Sequence, residues 1–206
     1  TRGASGIPRE LEGIPVEAEV TGKIVALAQI GTSTGNAREC AAGTIGALAK
    51  DSAGKSYALS NNHVYARENK ARIGEQIVSP GLYDAIPQCN FDPQTVMGTL
   101  AKFVKIQFGA KGNKVDAAIA LLSATVSNIT PSGYTPNSTA IPALLNQAVK
   151  KHGRTTHETH GTVTGINVTL RVQYSTGIAT FTDQIQIGPG GFSAAGSWCS
   201  IGHSRR

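Results

Sequence analysis

Three short stretches of the chain carry side chains able to move a proton. In ALSNNHVYARENK (58–70), His63 follows two asparagines at the end of a β-like run. In NKVDAAIALL (113–122), Asp116 opens an apolar run. Farther on, GFSAAGSWCS (191–200) sets hydroxyls among small residues. An imidazole that takes a proton from a hydroxyl needs its second ring nitrogen held as N–H by an acceptor. A carboxylate fixes that tautomer and stabilises the imidazolium that forms. A carboxylate at the entry of an apolar strand is in turn costly to bury without such a partner. Two plainer readings stand beside this one: His63 as a solvated turn histidine and Asp116 as a strand-edge aspartate.

The elements that must position these groups read as strands and turns. With 24 glycines, nine prolines and 5% aromatic residues, the composition suits short strands and tight turns better than packed helices. The run 43–60 predicts a hairpin, with strands over 44–50 and 55–60 joined by Asp51-Ser52-Ala53-Gly54. His63 then falls at a strand-to-loop corner, where side chains face clefts. Further strands are expected over 76–79, 95–104 and 115–122, the last apolar enough to be buried on both faces. Others follow over 148–152, 162–173 and 178–187, with Ser175-Thr176-Gly177 as the turn between the last two. Alternation over 15–29 also predicts a strand. Residues 123–140 are rich in Ser, Thr, Asn and Pro without a period, as in a connection between packed units. The expected organisation is a loose segment over 1–15, a first unit over 16–122 holding His63 and Asp116, a linker over 123–140, and a second unit over 141–206.

Composition narrows the function classes. Of 206 residues, 40% are hydrophobic and 16% charged, too apolar for a disordered chain, and no apolar run reaches membrane length. The net charge of +6 raises nucleic acid as a partner. The basic residues are scattered, however, with a cluster only at Lys150, Lys151 and Arg154 and no aromatic platform among them, so neither nucleic acid nor a membrane is expected. Cys40, Cys89 and Cys199 have no C-x-x-C spacing, which argues against a zinc site; a Cys40–Cys89 bridge is open to the sequence without being required by it. His152, His157 and His160 lie together near Glu158, yet their spacing gives no fixed ligand face, and no metal is assigned to them. The chain opens on Thr1 and is read as processed, trimmed or a fragment. Compartment and oligomeric state are left open.

The stretches GTIGALAKDSAGKSYALSNNHVYAREN, VDAAIALL, KKHGRTTHETHGTVTGI and DQIQIGPGGFSAAG together resemble a bacterial trypsin-like serine peptidase family. The likeness is to the branch with Ser-Asn-Asn-His-Val around its histidine, related to the protease-like domain of the plant narrow-leaf proteins, and it covers most of 14–196. It implies an all-β fold of two antiparallel Greek-key β-barrels of the trypsin-like type, the second incomplete in this chain. It implies His63 as general base, Asp116 as its orienting carboxylate, and Gly153, Arg154, Thr155 and Gly161 as structural residues near the cleft. It also implies a polypeptide substrate or peptide ligand and no cofactor. At the nucleophile the family reads Phe-Ser-x-x-Gly-Asp-Ser-Gly-Ser, whereas this chain reads Phe192-Ser193-Ala194-Ala195-Gly196-Ser197-Trp198-Cys199-Ser200. The match stops at Gly196. Aligned without gaps, Trp198 takes the serine position; with one residue missing, Ser197 takes it. The departure is read as a truncated or frame-slipped copy. The function so implied is that of a serine endopeptidase working through an acyl-enzyme, with turnover lost from this copy. The alternatives are a non-catalytic, peptidase-like module that binds peptides and an open-edged fragment.

Overall fold

The computed structural model describes residues 10–11, 14–15, 29–123, 141–188 and 200–203. Two short strands, β1 (Glu10–Leu11) and β2 (Ile14–Pro15), pair with each other. A larger sheet follows from β3 (Ser33–Asn36), β4 (Gly43–Thr44), β5 (Ala47–Lys50), β6 (Ser56–Ser60), β7 (Gln76–Val78) and β8 (Val96–Phe103). The chain then forms β9 (Gly109–Asn113), which joins the second sheet, and returns in β10 (Ala118–Leu122). The first sheet has the order β4-β3-β7-β8-β10-β6-β5, antiparallel throughout.

This sheet curls until its ends meet. The outermost strands, β4 and β5, are successive pieces of one extended run. Between them the Ile45 N–H donates to Thr32 O at 3.0 Å, and the Gly46 N–H donates to Leu59 O at 2.8 Å. One stretch of backbone thus serves both ends. The interior is filled by Ile45, Ala58, Ile77, Met97, Leu100, Ala118 and Ala120, with Val64 and Tyr65 plugging the rim. The strand over 115–122, expected to be buried on both faces, departs from that expectation. It begins at Ala118, its buried residues Ala118 and Ala120 alternate with half-buried Ile119 and Leu121, and Val115 is 37% exposed. A curled sheet has one inside, so only alternate residues reach it. At Gly98 of β8, a Cβ would stand 2.1 Å from Leu121 O, so the close approach of β8 to β10 beside their register shift requires glycine.

The predicted hairpin is present as β5 and β6. Asp51 Oδ1 accepts from the Ala53 and Lys55 N–H groups, both at 2.9 Å, and Gly54 supplies φ +80.

The second sheet contains β11 (Ala148–Gly153), β12 (His157–Tyr174), β13 (Gly177–Gly188) and β14 (Ser200–His203), in the order β14-β11-β12-β13-β9. β12 starts at His157 rather than at 162, because its first residues pair with β11 around the Arg154–Thr156 turn. β12 and β13 meet at Ser175-Thr176, where Tyr174 pairs with Gly177. β9 is not among the expected strands, since its Gly-Ala-Lys-Gly-Asn has no apolar alternation. It runs parallel to β13, held partly by Asn113 Nδ2 donating to Thr180 O at 3.0 Å. Ile106, Ala179 and Phe181, with Phe108, Val172 and Tyr174 against them, form a small second core. The all-β, two-sheet architecture expected from the sequence is therefore present. Cys40 and Cys89 form a disulfide, their Cα atoms 5.0 Å apart. No helix among the described residues is long and apolar enough to cross a membrane.

Candidate active site

β6 and β10 are antiparallel neighbours with Ala118 opposite Ser60. Continuing both past that pair brings 61–63 and 116 to the same rim. There the chain leaves β6 and turns into the single helical turn α1 (Asn62–Tyr65), which carries His63. Asp116 caps that turn from across the sheet. Its Oδ1 accepts from the Asn62 N–H at 2.6 Å and the His63 N–H at 3.3 Å, two donors that a helix start leaves without intrahelical partners. Asn61 Nδ2 donates to the Asp116 carbonyl at 3.0 Å. The other carboxylate oxygen, Oδ2, lies 2.5 Å from His63 Nδ1. Asp116 is 10% exposed at its side chain and His63 33%, so the carboxylate is enclosed while the ring reaches solvent. With Nδ1 held as the donor to Asp116, Nε2 is the basic nitrogen. The arrangement can take a proton from a hydroxyl and hold the charge that results.

Sequence reasoning missed a further partner of Asp116. Tyr174, the last residue of β12, donates its phenol to Oδ2 at 2.9 Å, and its ring lies 5.8 Å from that of His63. Phe108 and Phe181 pack against it. Burial pushes the Tyr174 phenol well above its usual range, and the Asp116 charge adds to the rise, so it stays protonated and donating. The signal available in sequence was indirect: the Ser175-Thr176-Gly177 turn places Tyr174 at a strand end.

The loop after α1 ties the His63 rim to the second sheet. Arg67, Glu68 and Asn69 all take positive φ, +49, +55 and +72, in the left-handed region that favours glycine. Side chains hold them there. Arg67 Nη2 pairs with Glu75 Oε1 at 2.9 Å. Asn69 exchanges hydrogen bonds with the Ile106 backbone and accepts from Asn62 Nδ2 at 2.8 Å. The Glu68 carboxylate grips the β12–β13 turn, accepting from the Ser175 N–H at 3.0 Å and Oγ–H at 2.6 Å, and from the Thr176 N–H at 2.9 Å and Oγ1–H at 2.8 Å. Burial alone would raise this carboxyl, but the hydrogen bonds from Ser175 and Thr176 outweigh it and bring it to about 2.

The residues of the Gly-Arg-Thr-Thr turn make a second tie. Gly153 ends β11, and Arg154 leaves it to form a two-pronged ion pair with Asp84, which follows β7 in the chain. The Arg154 N–H donates to Thr44 Oγ1 at 3.1 Å, and its guanidinium lies 5.7 Å from the Tyr83 ring centre. Arg154 first, with Ser33 behind it, holds the Asp84 carboxyl below the usual range. Thr155 accepts from Arg154 Nη1 at 3.2 Å, and Gly161 pairs with Val149. None of these bonds runs to His63 or Asp116. Gly196, Ser197, Trp198 and Cys199 lie outside the described residues. His160 Nε2 is 3.0 Å from Glu158 Oε1, and the His152 and His157 rings meet edge-on at 5.8 Å.

No protein-family model and no curated protein matches the chain. Solved structures do resemble it. A glutamic-acid-specific serine protease that uses a histidine triad in substrate binding is 21% identical, over 84% of this chain and 82% of that one, with a TM-score of 0.50. Thermobifida fusca protease A is 17% identical over 84% and 81%, with a TM-score of 0.48. Nocardiopsis protease is 17% identical over 82% and 81%, with a TM-score of 0.49. Identities this low speak to architecture and not to activity. The chain shares the chymotrypsin-like, two-barrel fold of the glutamic-acid-specific serine protease.

Proposed function

We propose that the chain is a serine-endopeptidase-type protein of the trypsin-like class, with His63 as general base and Asp116 as its orienting carboxylate, in which the nucleophile turn has been altered so that turnover is lost. The observation that carries this reading is the 2.5 Å contact between His63 Nδ1 and Asp116 Oδ2, with the carboxylate enclosed and the ring reaching solvent. In an intact enzyme of this kind, Nε2 removes the serine proton as the hydroxyl attacks the peptide carbonyl. The imidazolium then protonates the leaving amine, and water resolves the acyl-enzyme. The negative charge on the attacked oxygen is met by backbone N–H groups of the nucleophile turn, and losing one such donor costs ~10²–10³ in rate. Gly196-Ser197-Trp198 lacks the Gly-Asp-Ser order that sets those donors. Ser197 in that context is a weak nucleophile at best.

The same departure favours a second reading, a module that holds peptides without cutting them. A fluorophosphonate probe, which labels only an activated serine, tests the loss of turnover that both readings share. Absence of labelling on the folded protein is the expected result. Stoichiometric labelling abolished by His63→Ala would show a working peptidase and refute the loss of turnover. Labelling that survives His63→Ala would refute His63 as the base.

A further inference from the structure

Asp116 receives hydrogen bonds from two sheets. Asn61, Asn62 and His63 lie just past β6 of the first, whereas Tyr174 comes from the hairpin of the second. The two residues that follow Tyr174 are the ones whose N–H and hydroxyl groups all converge on Glu68. Glu68 itself lies on the loop leaving α1, between Arg67 and Asn69, which are anchored to Glu75 and to the Ile106 backbone. Lys70 completes the grip, its Nζ 3.2 Å from Ser175 Oγ and 3.9 Å from Glu68 Oε2. The segment bearing the base thus holds, through a carboxylate five residues on, the hairpin tip that delivers a donor back to the base's own partner.

We propose that Tyr174 is a positioning residue for the His63–Asp116 pair, and that Glu68 sets Tyr174 in place by clamping the turn that follows it. The inference rests on reading His63 as the base. Oδ2 of Asp116 faces two donors, the His63 ring and the Tyr174 phenol. With the phenol in place the carboxylate cannot rotate Oδ2 away from Nδ1 without giving up that bond as well. Docking of the second sheet is thereby coupled to the tautomer of an imidazole in the first.

The tautomer can be read without any substrate. Long-range proton–nitrogen NMR correlations on the 15N-labelled full chain report which ring nitrogen of neutral His63 carries the proton. The wild-type ring is expected in the Nδ1–H form. Tyr174→Phe keeps the ring that packs on Phe108 and Phe181 and deletes only the hydroxyl; it is expected to shift the tautomer ratio roughly two- to tenfold toward Nε2–H, the effect of one hydrogen bond. Glu68→Gln leaves one acceptor oxygen where four donors converge, and is expected to shift the ratio the same way by less. The double variant is expected to match Tyr174→Phe alone, because both act on one contact. A wild-type ring in the Nε2–H form would sink the base reading itself. A wild-type Nδ1–H ring unchanged by Tyr174→Phe would overturn the positioning role alone. Additive shifts in the double variant would overturn the clamp.

Discussion

Replacing Glu68 by glutamine tests how much the clamp on the β12–β13 turn stabilises the fold. Glutamine keeps the length of the side chain but removes the charge that draws four donors together. The carboxyl falls from its ordinary 4.5 to about 2 on folding, which at neutral pH corresponds to at most about 3 kcal/mol. Solvent at the rim of the turn screens part of this, leaving about 1–2 kcal/mol. The sign follows from the direction. A carboxyl whose folded value is depressed adds stability that is fully present above about pH 4.5 and is lost as pH falls toward 2. Urea unfolding of wild type and Glu68→Gln at pH 7 is expected to differ by that amount, and the difference is expected to shrink to less than half by about pH 3. Glu75 and Asp84 also sit below their usual range and drive acid unfolding, but they do so equally in both proteins and cancel from the difference. A stability difference that is the same at both pH values would refute the reasoning, since it would mean that shape rather than charge holds the turn.

Other expectations concern the remaining ties. The Cys40–Cys89 disulfide joins residues 49 apart, and removing it by Cys40→Ala with Cys89→Ala is expected to cost about 4 kcal/mol in the chain-entropy account, measurable as a lower urea midpoint than that of the oxidised wild type. Arg154→Ala removes both prongs of the pair with Asp84 and leaves that carboxylate facing Ser33 alone; a loss of about 2 kcal/mol is expected. Arg154→Lys is expected to recover less than half of it, because a point charge cannot reproduce the fork.

Much of the site's framework was legible in the sequence because its signals are local. The Asp51–Gly54 turn, the alternation on both sides of it and the paired asparagines before His63 each lie within a few residues of what they specify. Asp116 could be singled out because a carboxylate at the head of an apolar strand needs a reason. What escaped was set by register between distant segments. Tyr174 meets Asp116 across a separation of 58 residues, and Glu68 meets Ser175 across 107. No period in the chain marks such partners. β9 escaped for a different reason: its two glycines and lysine carry no strand pattern, and it pairs because β13 offers it an edge. The run over 115–122 predicts burial on both faces because apolar content alone cannot tell the inside of a curled sheet from a flat sheet covered on both faces.

Because β4 running into β5 borders both ends of the first sheet, the sheet that leads to His63 and Asp116 exposes a shorter edge than a flat sheet of seven strands would, and a short edge is a poor template for another chain. The second sheet differs. Among the described residues its outer strands are β14 and β9. β9 places Lys111 at its centre with a glycine on either side of the Ala-Lys pair, and a charge on a glycine-rich edge discourages a neighbour's strand from zipping alongside. A second copy of the chain is therefore discouraged from adding along β9 in concentrated solution.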